Sequence, residues 1–432
     1  MNINAQHIED QKWSLIKKIA FRFSFIYILL YVFFNNNGAF PLFNAITYYP
    51  TLLVKSFIPW FAEHVIRYQY DYTIFSNGSG DTSYDYVLVL VMILTGLIGS
   101  LVWSALDHNR TNYNKLYYWL VLTVRFYLAF TMLLYGSMKI IKLQFPDPSL
   151  YRLLQPYGNS SPMGLAWTFL GFSKGYNIFM GIVEIASALL LFRKTMVVGA
   201  FMALAASAHV MSMNYFYDVP VKLLSTMLVL LSLFVLAPNF VRIYRFFIKH
   251  ESQQLQTISP PVYKKRWQRI TAYSIKYLII LFTLVTLYQQ TVPMVKIYGG
   301  GAPKSPLYGI YNVRKFSLNG KELPPLTTDS TRWEQVIFDW PAYARVKLMN
   351  DSLINFDVNI DEKKKEITLK PTSEASANYI FNYIVKGKDQ LVFTGIKDSK
   401  EAIAIEFKKK DLKDFKLINR GFHWVNEYPY NR

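Results

Sequence analysis

Seven apolar runs lie within residues 1–299, at roughly 19–36, 84–105, 117–138, 176–192, 195–212, 219–238 and 273–291. Several approach the ~20 residues that a helix needs to cross a hydrocarbon core. Lipid satisfies no backbone hydrogen bonds, so each run is expected to be a helix. The fourth and fifth are shorter, as tilted helices joined by a hairpin at Arg193-Lys194 would be. The first follows Lys12, Lys17, Lys18 and Arg22 and has no small-residue cleavage site behind it. It reads as an uncleaved anchor.

Charge divides the chain. Residues 1–299 carry 25 Lys+Arg against 11 Asp+Glu, whereas 300–432 carry 22 against 17. The second part has the balance of a soluble domain. Without cysteine there is no thiolate nucleophile, no disulfide and no Cys-ligated zinc or iron–sulfur cluster. The net charge of +19 is spread over loops, with no basic face bearing stacking platforms, so nucleic acid is not an expected partner. With the N-terminus inside, segments 1–18, 106–116, 193–194 and 241–272 carry 14 Lys+Arg, and the outer loops 35–83, 138–174 and 213–218 carry 6. The bias predicts a cytoplasmic N-terminus, an inner-membrane location and an extracytoplasmic C-terminal domain. Cytoplasmic basic flanks meeting anionic headgroups make membrane lipids expected partners.

From residue 300 the period changes to short alternating runs between turn signals: 308–317, 333–340, 344–349, 353–360, 366–370, 379–385, 391–394 and 402–407. They predict an antiparallel all-β meander, a barrel or a sandwich, lipocalin-like at fold level. Such a barrel either holds one small ligand or is filled by side chains. The aromatic tail 421–432 is expected to dock on the barrel or on the outer loops.

Polar residues inside the apolar runs are expensive and therefore informative. The third run holds Arg125 and ends in Gly136-Ser-Met-Lys139; the fourth opens Gly181-Ile-Val-Glu184, continues Leu189-Leu-Leu and stops at Arg193-Lys194. The fifth is rich in small residues from Gly199 to Ala208. In that order and spacing, residues 117–245 resemble the DoxX family of small four-helix membrane proteins. The whole chain is similar to longer Bacteroidetes-type DoxX-like proteins with an added β-domain. The expected fold is an α-helical polytopic membrane protein of about seven spans, with a DoxX-like four-helix bundle inside it. Its parts would be 1–116, the bundle 117–245, a basic loop with the last span at 246–299, and the β-domain 300–432. Some DoxX relatives are membrane subunits of quinone-linked oxidoreductases, so the resemblance implies a redox component; the residues name no cofactor, and a quinone is the one this resemblance offers.

The predicted topology gathers Lys139, Glu184, His209, Asn214, Asp218 and Lys222 toward the outer face, with Asp81 and Gln144 as secondary candidates. Glu184 is a proton acceptor or headgroup ligand in an outward cavity, or one half of a buried structural pair. Arg125 lies deeper, where pairing or bonding to carbonyls is favoured. Asp218 has the spacing to pair with Lys222 and to cap the sixth run. Gly78-Ser-Gly-Asp81 and Gly158–Trp167 have the turn formers of ordered loops. A lone span histidine argues against a bis-histidine haem. There is no metal cluster, dinucleotide fingerprint, nucleophile elbow or phosphate loop. Three functions stay open: a quinone-linked redox component, a non-catalytic module binding a ligand or a protein partner through the β-domain, and a small-molecule transporter. The last lacks an inverted repeat and broken helices. Whether the chain is an enzyme is not decided by these residues.

Overall fold

The computed structural model describes residues 12–69, 80–258, 263–373 and 377–431. Gly78 and Ser79 lie outside them. The helices are α1 (Leu15–Phe34), α2 (Phe43–Phe61), α3 (Ser83–Leu106), α4 (Asn114–Ile140), α5 (Leu150–Leu154), α6 (Pro162–Phe172), α7 (Lys174–Ile185), α8 (Met196–Phe216), α9 (Lys222–Leu236), α10 (Phe240–Lys249), α11 (Arg266–Val295) and the short α12 (Lys416–Asn419). Among the described residues, six helical segments are long and apolar enough to cross a membrane: α3, α4, α7 with its 3₁₀ extension to Leu191, α8, α9 through α10, and α11. The protein is a multi-pass membrane protein. The remaining predicted run forms α1, whose Lys17, Lys18 and Arg22 confine its charge-free stretch to Phe23–Phe34.

Three stretches read as loops contain helices. Helix α2 lies within 35–83, carries Pro50 and Pro59, and ends in a π-helical turn, Ala62–Ile66. Proline disfavours helix interiors by ~3 kcal/mol, which hid this element. Helices α5 and α6 occupy the connection 138–174, and α10 opens the basic segment 241–272.

The chain divides into two compact units, Met1–Pro146 with Pro162–Val295, and Asp147–Ser161 with Lys296–Arg432. The sequence reading kept 147–161 with the helices and divided the chain near 300. The structure assigns that segment to the β unit and moves the division to Val295.

In the helical unit α4 is the central element, with 72% of its best membrane-length window buried, against 6% for α11. At one end of the bundle Arg22 is itself buried. Its Nε and Nη2 donate to the Tyr113 hydroxyl at 2.9 and 2.7 Å, Nη1 to Ser104 Oγ at 2.7 Å, and Nη2 to the Asp107 carbonyl at 2.9 Å. Tyr113 donates onward to Asp107 Oδ2 at 3.0 Å. A buried guanidinium is tolerated because its donors are satisfied in this way.

The β unit is a closed antiparallel barrel. Its strands are β1 (Gly309–Leu318), β2 (Lys321–Glu322), β3 (Trp333–Trp340), β4 (Tyr343–Leu348), β5 (Leu353–Asp361), β6 (Glu366–Pro371), β7 (Tyr379–Lys386), β8 (Gln390–Lys397) and β9 (Glu401–Lys409). From β3 onward each strand pairs with the next. The barrel closes through β1 on β9, from Tyr311 opposite Lys409 to Leu318 opposite Ile403. The two-residue β2 only extends the β1 edge, so eight strands form the wall. Side chains alternate as the pleat requires: on β9, Ile403, Ile405 and Phe407 are buried between exposed neighbours. Rings fill the interior, with Trp333 between 5.1 and 6.5 Å from Phe316, Phe356, Tyr379, Phe381 and Phe407. Of the two uses open to such a barrel, this one has its interior packed with side chains.

The aromatic tail corrects its expectation. Phe422, Trp424 and Tyr428 are 79%, 90% and 85% exposed, so they do not dock on the barrel.

Segment 147–161 does pack on the barrel. Leu150 is buried with Ile310 and Ile337. Asp339 caps α5, accepting from the backbone N–H of Leu150 at 3.0 Å and Tyr151 at 3.4 Å. The Arg345 guanidinium lies 3.9 Å from the centre of the Tyr151 ring. Burial pushes the Asp339 carboxyl above its ordinary range, partly offset by those two N–H donors and Arg345. The folded state therefore holds the proton more tightly than the unfolded one. The associated stability is complete below the unfolded pKa, about 4, and is lost as pH rises through the folded value. Asp339→Asn should remove this dependence. The difference in melting temperature between variant and wild type should move in the variant's favour from pH 4 to pH 7, and a constant difference would refute the assignment.

Candidate functional site

The two glycine motifs explain each other in three dimensions. Helices α4 and α7 run antiparallel and cross at Gly136 and Gly181. A Cβ added to Gly136 would lie 2.7 Å from the Gly181 carbonyl oxygen, and one added to Gly181 would lie 2.5 Å from the Gly136 oxygen. The backbones touch only because neither residue has a side chain, the small-residue contact typical of membrane helix pairs. Three residues beyond each glycine stand Lys139 and Glu184. Close approach of the helices thus brings the ammonium onto the carboxylate. Lys139 Nζ lies 2.7 Å from Glu184 Oε1 and 2.8 Å from Oε2. Both side chains are about 5% exposed or less, at 4% and 5%. The Phe145 ring lies 5.7 Å from the same ammonium and packs edge-on against Trp167.

Unsatisfied buried oxygens accompany the pair along the same elements. Asn177, fully buried and two turns before Glu184 on α7, donates through Nδ2 to the Leu170 carbonyl at 2.6 Å and the Ser173 carbonyl at 3.0 Å. Those bonds fix its amide orientation and leave Oδ1 without a hydrogen-bond partner. Ser187 Oγ, one turn after Glu184, and Gln144 Oε1, five residues after Lys139, are buried in the same condition. Buried polar atoms are rarely left unpaired, so three within about two turns of Lys139 or Glu184 along the chain mark a region with spare accepting capacity.

The six residues grouped from the sequence divide into two sets by their contacts. Lys139 and Glu184 form the pair, and His209 is exposed on α8. Asn214 in the last turn of α8, Asp218 in the connecting turn and Lys222 at the first position of α9 gather around the start of α9. Asn214 donates to the Val221 carbonyl at 3.1 Å and Ser225 Oγ at 3.0 Å. Asp218, with φ of 51°, accepts from Lys222 Nζ at 3.0 Å. The pairing is as expected, but the cap is not supplied by Asp218. Asp81 supplies it instead, accepting from the backbone N–H of Lys222 at 2.6 Å and of Leu223 at 2.9 Å. Helix α3 has its own cap, a Thr82–Asp85 capping box. Arg125 has the carbonyl-bonding role that its depth suggested: it is buried, and Nε donates to the Leu190 oxygen at 2.8 Å. That carbonyl lies in the 3₁₀ turn Ala186–Leu191. Among the described residues no cluster of histidine and acidic side chains could hold a metal ion.

Two functional features escaped the sequence reading. Asn177 carries no signal beyond its occurrence in an apolar run, two turns from Glu184. Arg22 counts by sequence as a flanking charge, and its burial comes from partners on other segments.

No family model matches the chain, and no solved structure matches it. A curated relative is the uncharacterized protein YwoB of Bacillus subtilis, 33% identical over 117 residues, which are 26% of this chain and 73% of YwoB. At that identity and coverage, the chain belongs to the family of YwoB through about a quarter of its own length.

Proposed function

We propose that the Lys139–Glu184 pair is a binding site for a polar, hydroxyl-bearing headgroup, and that the protein is the membrane component of a quinone-linked redox system. The observation that carries this reading is the doubly bonded, buried ion pair with the unpaired Asn177 Oδ1 two turns away on the same helix. A structural staple does not require charges, because a well-packed apolar pair is often as stable as a buried ion pair. The unpaired atoms at Asn177 and Gln144 are acceptors, so they suit a donor. A hydroquinone offers two hydroxyl donors and a glycerol headgroup offers others. Glu184 is the group able to take a proton from such a ligand, with Lys139 compensating its charge. The DoxX resemblance, carried by the same glycines and charges, supports this reading, as does a Lys/Arg bias that favours an outward position for this end of α4. The aromatic filling of the barrel favours the helical unit over the barrel interior as the seat of a small ligand.

The test uses the full chain in native-membrane discs. Wild type should retain quinone or glycerol lipid through purification. Glu184→Gln, which keeps shape and removes charge, should lose most of it while melting as a folded protein, and Asn177→Leu should do so to a lesser degree. Wild-type retention in both variants would reduce the pair to a structural element.

A further inference from the structure

Helix α10 has an unusual distribution of side chains for an element attached to a membrane bundle. At about 100° per residue, Arg242, Arg245 and Lys249 fall within an arc of about 60°. Phe240, Val241, Tyr244, Phe246, Phe247 and Ile248 occupy the rest and are all exposed. No residue of the helix is buried. A soluble helix would turn such rings inward, and a membrane-crossing one would not gather three cations along one side.

Its position is set by the chain before it. Lys222 to Asn239 span about 27 Å as a helix, close to the ~30 Å of a hydrocarbon core. The helix changes to a 3₁₀ turn at Ala237–Asn239, around Pro238, before α10 begins. Asn239 is fully buried there and clamps the returning strand of chain. It donates through Nδ2 to the Gln256 carbonyl at 3.0 Å and accepts from Gln256 N–H at 2.7 Å. Arg242 reaches the Pro238 carbonyl and Gln256 Oε1, at 3.1 and 3.2 Å, while Arg245 and Lys249 remain exposed. Arg193, from the turn before α8, donates to the Ile258 carbonyl at 3.4 Å, which brings that basic turn to the same end of the bundle. Lys264, Lys265, Arg266 and Arg269 then open α11 there, and Trp267 among them is exposed.

We propose that α10 lies in the plane of the bilayer surface, with its rings inserted at the headgroup boundary and Arg242, Arg245 and Lys249 holding the phosphates of anionic phospholipid. A helix with a cationic side and an aromatic, aliphatic remainder is the form that binds this boundary. The charge at this end complements an anionic leaflet, with the basic start of α11 extending the attraction. This inference does not depend on the Lys139–Glu184 reading.

The experiment reconstitutes the full chain into discs of equal phosphatidylglycerol and phosphatidylcholine, then measures retained lipid by native mass spectrometry after mild detergent extraction. Wild type should retain phosphatidylglycerol in excess. The R242Q/R245Q/K249Q variant should reduce the ratio of the two lipids at least about tenfold, since three charges that each count severalfold near an anionic surface multiply. Y244S/F247S/I248S should lower retention of both lipids and leave the ratio unchanged. Equal retention of the two lipids by wild type would overturn the proposal, as would a wild-type ratio in the glutamine variant. Should the glutamine variant not fold, wild type itself decides. Its excess must vanish at about 1 M salt, where screening shortens to ~3 Å, and an excess that survives would overturn the proposal.

Discussion

Lys139→Met in an otherwise unchanged chain should destabilise the helical unit by about 3–5 kcal/mol, because Glu184 is left charged or newly protonated in a buried site without its partner. Glu184→Met should cost a similar amount by stranding the ammonium. The double replacement should recover most of the loss and fall within about 1–2 kcal/mol of wild type, since two thioethers fill the volume and leave no charge unmatched. Equilibrium unfolding of all four proteins in one micelle system gives the coupling energy directly. Losses that simply add would mean that the 2.7 and 2.8 Å contacts contribute nothing specific. The cycle also separates structure from function. A double variant that is stable yet retains no headgroup ligand would place the site at the pair without making the pair a requirement for folding.

The second large effect belongs to the glycine that permits the pair. Gly181→Leu inserts a side chain where a single Cβ already lies 2.5 Å from a backbone oxygen of α4 and 2.6 Å from Ile140 Cγ1. The helices must separate, and overpacking alone costs roughly 1–3 kcal/mol. Separation also lengthens the Lys139–Glu184 contact, so the observed loss should exceed that range and should shrink when the charges have first been replaced by methionine. Gly175→Ala, on the same helix, is the control. Nothing lies within 4 Å of its added Cβ, and it should be neutral or mildly stabilising because alanine favours helix by up to ~1 kcal/mol. If Gly181→Leu and Gly175→Ala behaved alike, the close approach of α4 and α7 would not exist in solution.

The sequence by itself determined the elements whose period is dictated by their solvent. Apolar runs of membrane length became helices because lipid leaves the backbone no alternative. All eight predicted β runs became barrel strands because alternation between a filled interior and water has a period of two. It also singled out Lys139 and Glu184, since isolated charges in apolar surroundings require partners. What it did not reach is what depends on distance through space. Asp81 caps α9 from 141 residues away, a relation that no local spacing encodes. Asn177 gains meaning only from its fixed amide and unpaired oxygen, and Arg22 only from the arrival of Tyr113, Ser104 and Asp107 around it. Segment 147–161 could be assigned to the barrel only once Asp339 and Arg345 were seen to hold it. Local pattern settles which face of a segment avoids water, because that face must be apolar wherever it is buried. Tertiary structure alone decides which buried groups meet, because those contacts are made by residues remote in the chain.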